Sequence, residues 1–235
     1  MRTRLAQALS PIYREMWEHT PGHPTKGKAI FSPQWGSKWS PNNGIMIVGK
    51  ATNGWGHNID DTFDGDAFSS KATDITWVQD TFYRPEENHH WYGNKSAFFR
   101  VQKKISLTAN PNSNDNDWEQ WLVFTDLYKI VPAEDGNPTT RMIDAQRDLC
   151  IESLRREIEI FAPRAIVFLT SFWETSFIQR IISESFVHQL ITIGDGNTAC
   201  RYGIWEDRKI ICTSHPQGKR EDEIVANIAR ILTTV

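Results

Sequence analysis

Ile45-Met46-Ile47-Val48-Gly49-Lys50-Ala51-Thr52-Asn53-Gly54-Trp55 is the stretch on which the fold assignment turns. Its first four residues are apolar and rich in β-branched side chains. They follow the turn-forming group Pro41-Asn42-Asn43-Gly44 and end at Gly49, which predicts a short buried strand. Beyond Gly49 the chain becomes a polar loop holding Asn53, Gly54 and Gly56. Ligands of open parallel sheets sit just past the carboxyl ends of strands, so this loop is a candidate wall of a site. An ordinary strand-to-loop turn accounts for the same residues.

Working outward, Arg4 to His19 reads as a helix, with Pro11 a flaw that splits or kinks it, and Pro21 to Gly44 as an ordered covering loop. Residues 56–94 form a lid or insertion, too long for an ordinary connection, with a short helix near Asp74–Phe82. Lys95 to Leu107 is a helix burying Phe98, Val101 and Ile105, with Arg100, Lys103 and Lys104 outward. Trp121–Asp126 and Ala165–Thr170 read as strands, and Thr140 to Phe161 as a long helix stopped by Pro163. Trp173–Ser185 is a helix, Val187–Ile193 and Ala199–Glu206 are strands, and the second turns at Asp207-Arg208 into Lys209–Thr213. A last helix opens with Glu221, Asp222 and Glu223, favoured by its dipole.

Strands alternating with helices predict a three-layer α/β/α sandwich about a central, mostly parallel four-stranded sheet. One domain over 1–235 is expected, with 1–44 an N-terminal helix and covering loops. Right-handed crossovers then gather Gly49–Trp55, Asp126–Lys129, Thr170–Trp173 and Ser214–Gly218 at one sheet edge.

The composition is that of a soluble globular protein: 235 residues, 39% hydrophobic and 23% charged, with a net charge of −3. No apolar run reaches membrane-helix length, and Met1–Thr20 lacks a signal-peptide core, so no membrane partner and a cytoplasmic location are expected. Cys150, Cys200 and Cys212 are too scattered for a disulfide framework, a zinc site or an iron–sulfur cluster. His89-His90 has no third ligand at metal spacing, and no metal or cofactor is expected. Nothing in the sequence specifies an oligomeric state. Between Glu18 and Asp60 there is no acidic residue, while Lys26, Lys28, Lys38 and Lys50 alternate with Trp35, Trp39 and Trp55. Such a pattern suits a nucleic-acid strand, and equally a surface loop with snorkelling lysines.

One family combines these parts in this order. Phe124-Thr125-Asp126-Leu127-Tyr128-Lys129-Ile130-Val131-Pro132, Gly136-Asn137-Pro138-Thr139, the long helix and Ala162-Pro163-Arg164-Ala165-Ile166-Val167-Phe168-Leu169 resemble the uracil-DNA glycosylase superfamily. Gly49–Gly54 resembles its water-activating loop, and His215-Pro216-Gln217 its His-Pro-Ser loop. The resemblance runs from Ile45 to the C-terminus. It departs at Lys50, Ala51 and Thr52, where no carboxylate or amide stands to hold water, and at Asp126, where the family places an Asn that pairs with the base.

The resemblance implies base recognition and, with it, cleavage of an N-glycosidic bond in DNA. That reaction needs polarised water near the sugar and a donor aimed at the departing base. His215 is the candidate donor, neutral or charged, or else a structural residue capping the last helix. Asn53 or a loop acid such as Asp61 is the candidate water-holder. Asp126, Trp55, Gly49, Lys50 and Ser214 are candidates for the base itself, and Lys38 and Lys219 for the nucleic-acid backbone. An ionised Asp126 only accepts hydrogen bonds, which suits the paired N–H donors of guanine's edge. A binding module that kept the pocket without catalysis, and an N-glycosidase or transferase acting on free nucleotides, are the alternatives.

Overall fold

The computed structural model describes residues 1–52, 67–68, 73–83, 93–171 and 175–233. In chain order the elements are α1 (Arg2–His19), β1 (Ala29–Ile30), β2 (Gln34–Trp35), β3 (Ile45–Gly49), α2 (Thr76–Tyr83), α3 (Ala97–Ala109), β4 (Leu122–Asp126) and β5 (Ile130–Val131). There follow α4 (Thr140–Phe161), β6 (Ala165–Phe168), α5 (Thr175–Ile181), α6 (Glu184–His188), β7 (Ile191–Ile193), β8 (Cys200–Trp205), β9 (Arg208–Thr213) and α7 (Glu221–Thr233). They divide into two compact units. Met1–Gln34, Gly49–Thr73 and Thr125–Ala162 make the first, and Trp35–Val48, Asp74–Phe124 and Pro163–Val235 the second.

In the first unit α1 packs along α4, burying Leu5, Leu9, Tyr13, Met16 and Trp17. Pro11 neither splits nor ends α1. It is exposed, and the carbonyl it leaves without a helical donor belongs to exposed Gln7, on the side open to water. Helix α4 covers the predicted span because both ends are coded locally. The Thr139 hydroxyl accepts the Met142 N–H at 3.3 Å, and Ala162 turns left-handed (φ 47°) just before Pro163. β1 and β5 pair antiparallel, Ile30 opposite Ile130.

The second unit carries the main sheet. The expected four mostly parallel strands are corrected to seven in a mixed sheet, in the order β2-β4-β3-β6-β9-β8-β7. β3, β6 and β9 run parallel, with Val48 opposite Phe168 and Phe168 opposite Cys212. Their side chains from Ile45 to Val48, Ala165 to Phe168 and Ile210 to Thr213 are buried on both faces, as central parallel strands require. β9, β8 and β7 are joined antiparallel. The β8–β9 hairpin turns at Glu206-Asp207, one residue earlier than expected, and both have positive φ (47° and 64°), matching the twist of the flanking strands.

Two further expectations change near β7. The predicted helix Trp173–Ser185 is, among the described residues, α5 followed by α6. The predicted strand Val187–Ile193 begins as helix and is strand only over β7. Ser183 is the cause: its extended backbone breaks the first helix, and its hydroxyl accepts the Phe186 N–H at 3.2 Å to start the second. The short apolar run Phe186-Val187 suits either state, and the cap decides it.

Candidate functional site

In the first unit the chains leaving β3 and β4 run side by side. The Leu127 N–H donates to the Gly49 carbonyl at 2.9 Å, and the Tyr128 N–H to the Lys50 carbonyl at 3.0 Å. Gly49, Lys50 and the end of β4 are therefore brought together, as expected. The strand end is floored by charge. Lys129 and Glu157 are fully buried, with Nζ 2.8 Å from Oε1. Glu157 also accepts from the hydroxyls of Thr125 at 2.7 Å, Ser153 at 2.9 Å and Tyr13 at 3.5 Å. Lys129 Nζ donates to Thr125 Oγ1 at 2.6 Å. Burial, with the Glu157 charge alongside, pushes the Tyr13 hydroxyl well above its ordinary pKa. Gln146 fixes the next residues: its Oε1 accepts the N–H groups of Lys129 and Ile130 at 3.0 and 2.8 Å, and its Nε2 donates to the Ile130 carbonyl at 2.7 Å.

Asp126 closes β4 and is only 2% exposed. Among the described residues its Oδ2 has no hydrogen-bond partner. Desolvation, opposed by Lys129 and helped by the Glu157 charge, raises its pKa to about 7. An acceptor-only Asp126 is thus replaced by a carboxyl that exchanges its proton near neutrality. When neutral it offers one O–H donor and one carbonyl acceptor, as an amide does; when ionised it offers two acceptors. Thr52 is also buried, and its Oγ1 has no partner among the described residues.

No protein-family model matches this chain, and no curated protein does.

In the second unit the parallel strands bring His215 and Ser214 beside the end of β6. The Leu169 N–H donates to the Val48 carbonyl at 3.0 Å, and the Ser171 N–H to the Thr213 carbonyl at 3.0 Å. The His215 N–H donates to Ser171 Oγ at 3.1 Å. Its ring lies nearly parallel to that of Phe98, 8° apart in plane with centroids 6.0 Å apart. Nδ1 accepts the Gln217 N–H at 3.2 Å, and a backbone N–H can only donate. The proton of the neutral ring is thereby assigned to Nε2, making that nitrogen a donor.

The remaining candidates fare differently. Asn53, Trp55 and Asp61 lie outside the described residues, as do His89 and His90. Lys38 is paired with Asp117 at 2.5 Å and lies over the Trp121 ring, so its charge is already engaged. Lys219 is half-buried, and its N–H donates to the Pro216 carbonyl. Arg100 and Lys104 are not simply outward: they pair with Glu221 and Asp222 at the start of α7, while Lys103 pairs with Asp115 at 2.8 Å. A cleft of about 380 Å³ beside α7 is lined by Arg220, Glu223, Thr198 and Asn227. Some of its polar groups bond one another, Arg220 to Glu223 at 2.6 Å and Thr198 to Glu223 at 3.0 Å. Among the described residues no group of His, Cys, Asp and Glu could hold a metal ion, and no helix is long and apolar enough to cross a membrane. The thiols of Cys150, Cys200 and Cys212 are buried and pushed up to about 12, 11 and 12, which makes them inert.

Sequence reasoning missed Glu157 and Ser171. Glu157 reads as an ordinary helical glutamate. Ser171 stands in a stretch expected at the sheet edge, but nothing in its residue type announces its contact with His215.

Proposed function

We propose that this chain binds a nucleobase or flipped base, in a three-layer, uracil-DNA-glycosylase-like architecture, with Asp126 reading the base edge. The observation that carries the reading is the unpartnered Oδ2 of Asp126. A buried polar atom without a partner costs free energy unless a ligand completes it. A neutral Asp126 matches an edge pairing an N–H with a carbonyl, as in uracil. An ionised Asp126 matches two adjacent N–H groups, as on guanine. A catalytic reading rests on His215 by itself: the Nε2–H is a hydrogen-bond donor of the kind a departing base accepts while water attacks the sugar carbon.

A second reading, binding without cleavage, is favoured by Lys50, Ala51 and Thr52. No carboxylate or amide follows Gly49, and Thr52 offers only a hydroxyl. Two measurements separate the readings. Nucleoside binding at about pH 5.5 and about pH 8.5, on either side of the Asp126 transition, is expected to favour uridine at the lower pH and guanosine at the higher. An Asp126→Asn variant is expected to favour uridine at both. A preference that ignores pH and survives this substitution removes Asp126 from recognition. Release of free base from oligonucleotides carrying deaminated or damaged bases, lost in His215→Ala, establishes the enzyme. Base binding with no release establishes the binder.

A further inference from the structure

Ser171 is one of five non-glycine residues with positive φ among the described residues, at 72°. Left-handed backbone is unfavourable for a serine and is the ordinary province of glycine. Glycine would fit this turn but would bring no oxygen. Ser171 brings one, and the oxygen accepts the His215 N–H at 3.1 Å. In return the Ser171 N–H donates to the carbonyl of Thr213, two residues before His215, at 3.0 Å. The two bonds continue the β6–β9 pairing past its last register pair, Phe168 with Cys212. The Ser171 side chain stands in for a main-chain acceptor that the turn has carried away. The held segment then aims the Gln217 N–H at Nδ1 of the same histidine, at 3.2 Å.

We infer that Ser171 is the positioning residue for His215, its left-handed turn retained so that its hydroxyl holds the histidine's main chain and thereby keeps the ring in the Nε2–H form. The inference deepens the proposed function, since it gives the donor role of His215 a support, and it rests on that reading only for its consequence in catalysis. Three features point the same way: a turn that suits glycine but holds serine, reciprocal bonds to either side of Ser214, and a ring nitrogen accepting from the loop so fixed. Phe98 packing along one ring face limits the orientations left to the imidazole.

The test is nitrogen-15 NMR of the histidine side chains in the intact, ligand-free protein, with His215 assigned by its loss in His215→Ala. The wild-type ring is expected as a single tautomer at neutral pH, protonated on Nε2. Ser171→Gly keeps the turn and removes the oxygen. It should fold, with the His215 ring averaging between tautomers and the His215 amide exchanging about tenfold faster, as expected for one lost hydrogen bond. Ser171→Asn, which tolerates left-handed backbone and returns an acceptor, should restore at least part of both signals. A Ser171→Gly protein that keeps the single tautomer and the slow amide overturns the inference. If Ser171→Gly does not fold, Ser171→Asn decides: retention of the tautomer upholds the inference and its loss overturns it. None of these readouts involves a base, so failure of the base-binding reading would appear separately, in His215→Ala binding and cleavage.

Discussion

Asp126 and Glu157 are both buried carboxylates of the first unit, and their surroundings are opposite. Glu157 is saturated by a lysine and three hydroxyls. Asp126, at the strand end, has an oxygen with no partner among the described residues, and holds its proton up to about 7. Both cost desolvation to bury. Only one recovers it within the protein. A satisfied buried charge shapes the fold, whereas an unsatisfied one is a candidate for completion by a ligand, as proposed for Asp126.

The largest effect that would test this contrast is removal of Glu157. Glu157→Ala leaves Lys129 buried without its counter-ion and should cost about 3–5 kcal/mol in urea unfolding. Replacing both partners by apolar residues, as in Lys129→Met with Glu157→Leu, should recover much of that loss, because no charge remains to be desolvated. A single substitution costing under about 1 kcal/mol would show the cluster to be solvated and would remove the distinction.

Asp126 makes the next prediction, with the sign reversed. Its folded-state pKa, about 7, lies above the ordinary 3.8. The native protein therefore binds the extra proton between these values, and stability falls as pH rises through that window. A rise of about three units corresponds to roughly 4 kcal/mol at most. Asp126→Asn, which cannot ionise, should be more stable than wild type above pH 7 by about 2–4 kcal/mol and lose the advantage toward acid pH. Equal stability of the two proteins at alkaline pH would mean that the carboxylate is hydrated, and the proposed vacancy for a base edge would go with it. A Glu157 substitution and an Asp126 substitution thus move stability in opposite directions, although each removes one buried carboxylate.

Gln146 supplies a smaller test of the same floor. Gln146→Ala strands the N–H groups of Lys129 and Ile130, which should cost about 1–3 kcal/mol. Because Gln146 holds the chain just beyond Asp126, the variant should also weaken base binding while leaving its pH dependence intact. A loss of pH dependence would instead tie Gln146 to the protonation of Asp126.

What the sequence disclosed follows from how local the causes are. Helix α4 is legible end to end because Thr139 and Ala162-Pro163 announce its limits within one turn. β3 and β6 are legible because burial on both faces leaves an unbroken apolar run. The four-stranded sheet was too small a reading because β2 is only two residues long, and because the strands read at Val187–Ile193 and Ala199–Glu206 were not counted in the central sheet, whose edges depend on pairing partners rather than on local sequence. Among the candidate residues, Asp126 and His215 stood out by their place after strands. Glu157 did not, since glutamate on a long helix is usually solvated, and its partners lie 28 and 32 residues away at Lys129 and Thr125 and 144 away at Tyr13. The turn at Ser171 was illegible for another reason: positive φ is advertised by glycine or asparagine, and serine gives no such signal.

The smallest effect belongs to Lys38, where the contrast between buried and exposed charge can be sharpened. Its pair with Asp117 is short, at 2.5 Å, yet the lysine side chain is 45% exposed. Water screens such a pair and side-chain ordering opposes it, so distance is a poor guide to its worth. The Lys38 contribution also includes its place over the Trp121 ring, a contact of similar modest size when solvated. Lys38→Gln should therefore change stability by less than about 1 kcal/mol, several-fold below Glu157→Ala, although both break an ion pair. If Lys38 also touches a phosphate, the same variant lowers the salt dependence of nucleic-acid binding by about one counter-ion. Since Asp117 already holds its charge, the expected result is no change in that slope.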